Sequence, residues 1–232
     1  MPARESPITM DAALVLLSGG MDSTTLLHRV KHHHPEAALR ALSLHYGQRH
    51  ARELEMARWQ AEKLGVPHET ADLSFLGGLV APGTTLVTGG GAVPELAELP
   101  EATRDQPPTY VPNRNMILLA IAAAHAEAHG IFDIFYGAQA QDEYGYWDCT
   151  TEFIERMNDT LALNRRQPVR VHAPFAHTRK ADIVGIGLDL GVDFAHTWTC
   201  YRGGERPCGV CPACVEREAA FHEAGEPDPL LG

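Results

Sequence analysis

Hydrophobic and polar positions along the chain alternate between short apolar runs and stretches of helical period. Leu14-Val15-Leu16-Leu17 is an unbroken apolar run of strand length, as expected for a parallel strand covered on both faces. Two glycines and a cluster of hydroxyls follow, after which Leu26, Leu27 and Val30 recur at helical spacing until His32-His33-His34-Pro35. Neighbouring histidines do not share a helix face, so that triplet reads as a polar helix end halted by proline rather than as metal ligands. Residues 39–46 predict a second strand, and Gly47-Gln48-Arg49-His50 turns into a helix with Ala51, Leu54, Ala57, Ala61 and Leu64 on one face. Gly65-Val66-Pro67 stops it ahead of a third strand at 68–73.

Further along, residues 116–129 are apolar nearly all round and predict a buried helix closed by Gly130. Residues 131–136 predict a strand, 137–149 a polar, aromatic loop, 150–163 a helix, 169–174 a short strand and 178–191 a helix with Lys180 in its first turn. The rhythm implies right-handed crossovers and a doubly wound α/β fold, a parallel sheet of about five strands with helices on both faces. Loops at the carboxyl ends of such strands are where ligands bind. Between 76 and 108 the periodicity fades and Gly89-Gly90-Gly91 and Pro107-Pro108 intervene, which predicts a mobile flap beside the site. Residues 1–11 read as a loose leader, 1–195 as the nucleotide-binding domain and 196–232 as a C-terminal segment.

Composition narrows the class. Thirty acidic against 19 basic residues leave a formal charge of −11, which argues against a nucleic-acid partner, whose phosphates need clustered Lys and Arg. A small-molecule substrate is favoured. The longest apolar run, 116–124, is about half of what a bilayer requires, and the N-terminus lacks the pattern of a signal peptide; a cytoplasmic location without a membrane partner is expected.

The chemistry begins at Ser18-Gly19-Gly20-Met21-Asp22-Ser23-Thr24-Thr25. Two glycines let the backbone approach an anion closely, and the N–H groups of the loop and of the following helix start converge with the positive end of the helix dipole. The hydroxyls add donors, and Asp22 can hold a Mg2+ that bridges phosphate oxygens. Neither the G-x-x-x-x-G-K-[ST] loop nor the dinucleotide G-x-G-x-x-G pattern is present. The hexapeptide instead resembles the SGGxDS signature of the PP-loop ATP pyrophosphatases, which cleave ATP between its α and β phosphates and usually adenylate a substrate.

Of five cysteines, Cys200, Cys208, Cys211 and Cys214 fall within fifteen residues. Their C-x7-C-x2-C-x2-C spacing supplies the four thiolates of a closed, structural Zn2+ site. An iron–sulfur cluster is the competing reading, but no proline-flanked further cysteine follows Cys214. Cys149 stands apart, as a buried residue or a site residue.

The resemblance then extends over nearly the whole chain. Tyr46-Gly47-Gln48-Arg49-His50, Tyr110-Val111-Pro112-Asn113-Arg114-Asn115, Gly145-Tyr146-Trp147-Asp148-Cys149 with Glu152-Phe153, Lys180-Ala181-Asp182-Ile183 and Thr197-Trp198-Thr199-Cys200-Tyr201 resemble segments of the 7-cyano-7-deazaguanine synthase family of queuosine-precursor biosynthesis. The resemblance implies an ATP-dependent C–N ligase converting 7-carboxy-7-deazaguanine and ammonia into the nitrile through an adenylated carboxylate and an amide. It implies ATP, Mg2+ and one structural Zn2+ as cofactors, and a homodimer. Leu17, Ser18, Gly19, Gly20, Met21, Asp22, Ser23, Thr24, Thr25, Leu26 and Leu27 would form the ATP-binding segment. Asp22, Ser23, Lys180 and Arg114 would be catalytic, with Arg114, Asn115, Asp142, Tyr146 and Asp148 at the substrate. Asn113, Gln139, Tyr144 and Trp147 depart from the family pattern on the substrate side and leave a related deazapurine open. The alternative readings are a tRNA thiolase of the same superfamily and a nucleotide-sensing or zinc-dependent interaction module.

Overall fold

The computed structural model describes residues 10–49, 52–100, 106–140 and 145–231. His50, Ala51, Asp142 and Tyr144 from the sequence reading, with the leader up to residue 9, lie outside the described residues. Strands β1 (Ala12–Leu16), β2 (Ala38–His45), β3 (His68–Asp72), β4 (Asp133–Phe135) and β5 (Arg170–His172) form one sheet in the order β3-β2-β1-β4-β5. All four pairings are parallel. Helices α1 (Met21–His33), α2 (Arg52–Lys63), α3 (Phe75–Val80), α4 (Arg114–Ala128), α5 (Thr151–Leu161), α6 (Lys180–Asp189) and α7 (Pro212–Glu223) complete the described elements, together with short 3-10 turns.

Period-two alternation divides β1, β2 and β4 between two cores. Ala13 and Val15 of β1 and Leu39 and Ala41 of β2 face α1, α2 and α6 through Leu26, Leu27, Val30, Ala57, Ala61 and Ile183. Leu14, Leu42 and Leu44 face the opposite layer, Leu119, Ala122 and Ala126 of α4 and Phe153 and Ile154 of α5. Burial on both faces explains the continuous apolar run of β1.

Two elements differ from the sequence reading. Helix α4 is buried on one side only, through Asn115, Leu119, Ala122, Ala123 and Ala126, while Met116 is 40 % exposed. Its outer face carries alanines whose apolarity is too slight to require cover, so uniform composition overstated its burial. Helix α7 was not anticipated, because cysteines, glycines and prolines dominate its approach. It starts with Cys211 as N-cap and Pro212 in its first turn, where proline's missing N–H costs nothing. Phe221 and Ala220 of α7 pack on Val184 of α6 and Met21 of α1.

The stretch 76–108, expected to lack regular structure, carries α3, which starts at Phe75, and 3-10 turns at Ala81–Gly83 and Leu96–Glu98 among its described residues. Arg49 ties this stretch down by donating to the carbonyls of Thr85, Gly90 and Gly91 at 3.0, 2.6 and 2.8 Å. Leu86 and Val87 are buried beside Tyr46 and Val111. No helix among the described residues is long and apolar enough to cross a membrane.

Candidate functional site

In the order β3-β2-β1-β4-β5 the chain reverses direction of winding between β1 and β4, and a crevice opens at the carboxyl ends of those strands. A cavity of about 290 Å³ lies there. Its floor is the loop leaving β1 and the start of α1, and its walls come from α2, the start of α4, residues 136–138, Tyr146 and Cys149, the start of α6, residues 198–201 and the start of α7.

Loop geometry follows from its glycines. Gly19 sits at φ +85°, and a Cβ there would lie 1.9 Å from the Glu53 carbonyl oxygen on α2. Only glycine permits that approach. The Gly19 carbonyl in turn accepts from the Trp198 N–H at 2.9 Å, linking the loop to the C-terminal segment. Ser23 Oγ accepts from the Ser18 N–H at 3.1 Å and lies 2.9 Å from Ser18 Oγ, which accepts from the Gly20 N–H at 3.2 Å. Gly20 caps α1 with no side-chain acceptor of its own, and the first turn carries the carboxylate of Asp22, so α1 begins at the cavity with its positive dipole end and an acidic side chain side by side. The arrangement is one that could hold an anion.

Leu17, Ser18, Gly20, Asp22 and Ser23 line the cavity together with Arg114, Asn115, Tyr146 and Lys180, residues that the sequence separates by up to 163 positions. The remaining residues of the loop and helix support it from behind. Gly19 faces α2, Met21 packs with Val184 and Phe221, and Leu26 and Leu27 belong to the sheet core. Thr24 and Thr25 are fully buried, and their Oγ1 atoms have no hydrogen-bond partner among the described residues. Asp148 does not reach the cavity. It is buried, and its Oδ2 accepts from the Asn115 N–H at 3.0 Å, which caps the first turn of α4 from a distant segment. Asn115 Nδ2 donates to the Asp148 carbonyl at 3.3 Å and to Cys149 Sγ at 3.1 Å. Those two bonds fix the N-terminal end of α4.

Two cations face the cradle. Lys180 Nζ donates to Glu216 Oε2 at 2.9 Å, its side chain 11 % exposed. Arg114 donates from Nε to Asn115 Oδ1 at 3.1 Å and lies with its guanidinium 5.9 Å from the centre of the Tyr46 ring. Burial works against the Arg114 charge, but the neighbouring Tyr46, Tyr136 and Cys149 raise its pKa well beyond the ordinary value. Burial also pushes the Tyr46 phenol up, so it stays protonated. On the other wall Tyr146 stacks with Tyr110 at 6.4 Å between ring centres, and its hydroxyl lies 2.8 Å from Thr109 Oγ1. Trp147 Nε1 donates to the Tyr110 hydroxyl at 2.7 Å. Glu216 was missed from the sequence, although its place two residues beyond Cys214 would have marked it had α7 been foreseen.

The four thiols of Cys200, Cys208, Cys211 and Cys214 have all their sulfurs within 4.8 Å of one another, with 4.0 Å between Cys208 and Cys214. A tetrahedral ion with metal–sulfur bonds of about 2.3 Å places its sulfurs about 3.8 Å apart, so the arrangement fits a four-coordinate metal. Backbone N–H groups of Cys208 and Cys211 donate to the sulfurs of Cys200 and Cys208 at 3.4 and 3.3 Å, as metal-bound thiolates require. Without an ion, Cys211 and Cys214 donate to Cys200, lowering its pKa and raising theirs, that of Cys211 to about 11. Behind the cluster, Arg217 is buried in a paired fork to Asp228, Nε to Oδ2 at 2.8 Å and NH2 to Oδ1 at 2.9 Å. Its NH1 donates to Thr197 Oγ1 at 2.7 Å.

Comparison with solved structures finds the same fold in the U34-tRNA thiolase NcsA from Methanococcus maripaludis, with a TM-score of 0.52 and 13 % identity over 91 % of this chain and 63 % of that one. It also finds the NMN synthetase from Francisella tularensis, with a TM-score of 0.51 and 14 % identity over 93 % and 78 %. At such identity these likenesses speak for the PP-loop fold alone. Sequence relatives are much nearer. The 7-cyano-7-deazaguanine synthase of Chromohalobacter salexigens is 45 % identical over 97 % of this chain and 88 % of its own length. That of Caldicellulosiruptor saccharolyticus is 44 % identical over 94 % of each. The family model described as queuosine biosynthesis protein QueC matches residues 12–225; with that match and these relatives, the chain belongs to the QueC family.

Proposed function

We propose that the protein is an ATP-dependent C–N ligase that converts 7-carboxy-7-deazaguanine and ammonia into 7-cyano-7-deazaguanine. The observation that carries this reading is the convergence, in one cavity, of the glycine-rich start of α1 with Lys180, Arg114 and Asn115. Its relatives' names supply the product.

A carboxylate resists attack by ammonia because its oxygen is a poor leaving group. Transfer of AMP from ATP to that oxygen, with release of pyrophosphate, supplies a good one; ammonia then displaces AMP to form the amide. A second ATP then adenylates the amide oxygen with release of a second pyrophosphate, and loss of AMP, carrying that oxygen, and of the two amide protons leaves the nitrile. The N–H groups at the start of α1, with Ser18 and Ser23, hold phosphate oxygens, and Lys180 and Arg114 neutralise the charge that accumulates on the departing pyrophosphate. Tyr46, kept protonated, sits beside Arg114. Tyr146 offers a ring face and a hydroxyl to a purine-like base, and Asp148 acts at one remove, by holding Asn115 and with it Arg114. Asp142 belongs to the same proposed substrate wall.

Asp22 would hold Mg2+, which supplies Lewis-acid polarisation of the phosphates. The four cysteines would hold Zn2+, which supplies folding free energy and has no open coordination position for chemistry. Residues 196–232 then act as a metal-stapled segment that seats Trp198 and Glu216 at the cavity, where Leu86 also lies. A cytoplasmic homodimer completes the proposal.

The test is to incubate the purified protein with ATP, Mg2+, ammonium and 7-carboxy-7-deazaguanine and follow the base by mass spectrometry. The nitrile is expected. Consumption of ATP with the base unchanged would overturn the substrate assignment, and absence of any nucleotide turnover would overturn the ligase.

A further inference from the structure

At the C-terminal end of α4, away from the cavity, His125 of the last turn and the C-cap residue His129 lie four residues apart, with their rings 4.2 Å apart between centres. Glu69 of β3 joins them, and a ligating atom from each of the three lies within 4.8 Å of the others. Histidines at i and i+4 present two imidazoles to one point, the spacing that helical metal sites use. The carboxylate comes from a different element, 56 residues earlier than His125. Such a set requires tertiary structure and does not arise in the unfolded chain.

The ligand atoms are oriented. His129 Nδ1 lies 2.8 Å from the His125 carbonyl oxygen, which makes Nδ1 the protonated donor and leaves Nε2 as the lone-pair nitrogen. Glu69 gives Oε1 to Arg40 NH1 at 2.8 Å, both side chains being well exposed, and a surface pair of that kind exchanges readily.

We propose that Glu69, His125 and His129 form a second metal site, distinct from the four-cysteine centre, that takes a borderline first-row divalent cation. Two imidazoles and one carboxylate suit Ni2+, Cu2+ or Zn2+ rather than Mg2+. Solvent completes the coordination, and the nearby Arg40 charge holds the affinity to a modest value. The ion joins the C-terminal half of α4 to the edge strand β3. His125 lies eleven residues, about 16 Å along the helix, from Arg114, so the ion reinforces the element that carries Arg114 without entering the cavity.

The test is calorimetric titration of Ni2+ into protein loaded with a single equivalent of Zn2+, which the four thiolates take up, with a chromogenic chelator reporting any Zn2+ displaced from the cysteines. One equivalent of Ni2+ is expected to bind without Zn2+ release and to raise the thermal midpoint. His125→Ala or His129→Ala should abolish this binding, and Glu69→Gln should weaken it about tenfold. The variant with His32, His33 and His34 all changed to alanine should bind as the wild type does. Undiminished binding by His129→Ala, loss of binding in the His32–34 variant, or no binding to the wild type would overturn the proposal.

Discussion

Lys180 Nζ and Glu216 Oε2 stand 2.9 Å apart in the wall of the cavity, the lysine at the start of α6 and the carboxylate in the second turn of α7. A phosphate entering the cradle competes with Glu216 for the same ammonium. Glu216→Gln should therefore bind ATP more tightly, lowering KM for ATP several-fold, whereas Lys180→Met should raise KM and cut turnover by at least tenfold, on the scale of one lost charge-assisted bond. Steady-state kinetics with ATP varied would check both; an unchanged KM in Glu216→Gln would mean that the pair is only structural.

Loop geometry makes its own prediction. In Gly19→Ala the new Cβ would meet a backbone carbonyl at 1.9 Å in a left-handed conformation, so stability should fall by more than about 1 kcal/mol, with ATP affinity lost in parallel. Denaturant unfolding together with nucleotide titration would check it.

Capping of α4 from Asp148 predicts a separation of effects. Asp148→Ala removes a buried acceptor from the Asn115 N–H and should cost about 1–3 kcal/mol. Since α4 carries Arg114, turnover should also fall while ATP binding changes little. Thermal unfolding and a kcat-against-KM comparison would show both.

The C-terminal segment should depend on its metal. Stripping the ion with a chelator leaves four crowded thiols and frees the start of α7, so helicity should fall and the thermal midpoint with it. Arg217→Ala would leave Asp228 buried without its partner and should cost about 3–5 kcal/mol. Circular dichroism would follow the first and urea unfolding the second.

Stability should also decline in mild acid. Burial lowers the pKa of His28, whose Nε2 lies 3.4 Å from Gln60 Oε1, against a bond that raises it. The unfolded chain takes up a proton at His28 near pH 6.5 and the folded one only at lower pH. The contribution is thus fully present above pH 6.5 and is lost as the pH falls through the folded value; His68, also lowered by burial, acts in the same sense. Urea midpoints measured from pH 8 to pH 5 should fall below pH 6.5, and His28→Gln should flatten the slope.

Much of this was legible in the chain. The strands β1 and β2 and the helices α1 and α2 follow from apolar runs and one-faced periodicity that the structure uses as written, whereas β3 is polar and largely exposed and is marked only by the stop at Gly65-Val66-Pro67 before it; the paired glycines of 18–23 mark the turn from β1 into α1, where Gly19 takes a positive φ. Helix α7 escaped because ligand and turn residues mask its period, and with it went Glu216. Asp148 looked like a substrate contact because its segment is polar; its burial against Asn115 is a tertiary fact, set by two segments 33 residues apart that no local pattern connects.

The central position of β1 also bears on how the chain assembles. Its pairing with β2 closes over about two dozen residues, whereas its pairing with β4 joins residue 13 to residue 133. The chain-closure entropy is larger for the second union. During synthesis the half comprising β1, β2 and β3 can therefore collapse while the rest is still being made. It presents an exposed strand edge until β4 arrives, so the phosphate loop is framed early and the cavity closes only with the last third of the polypeptide.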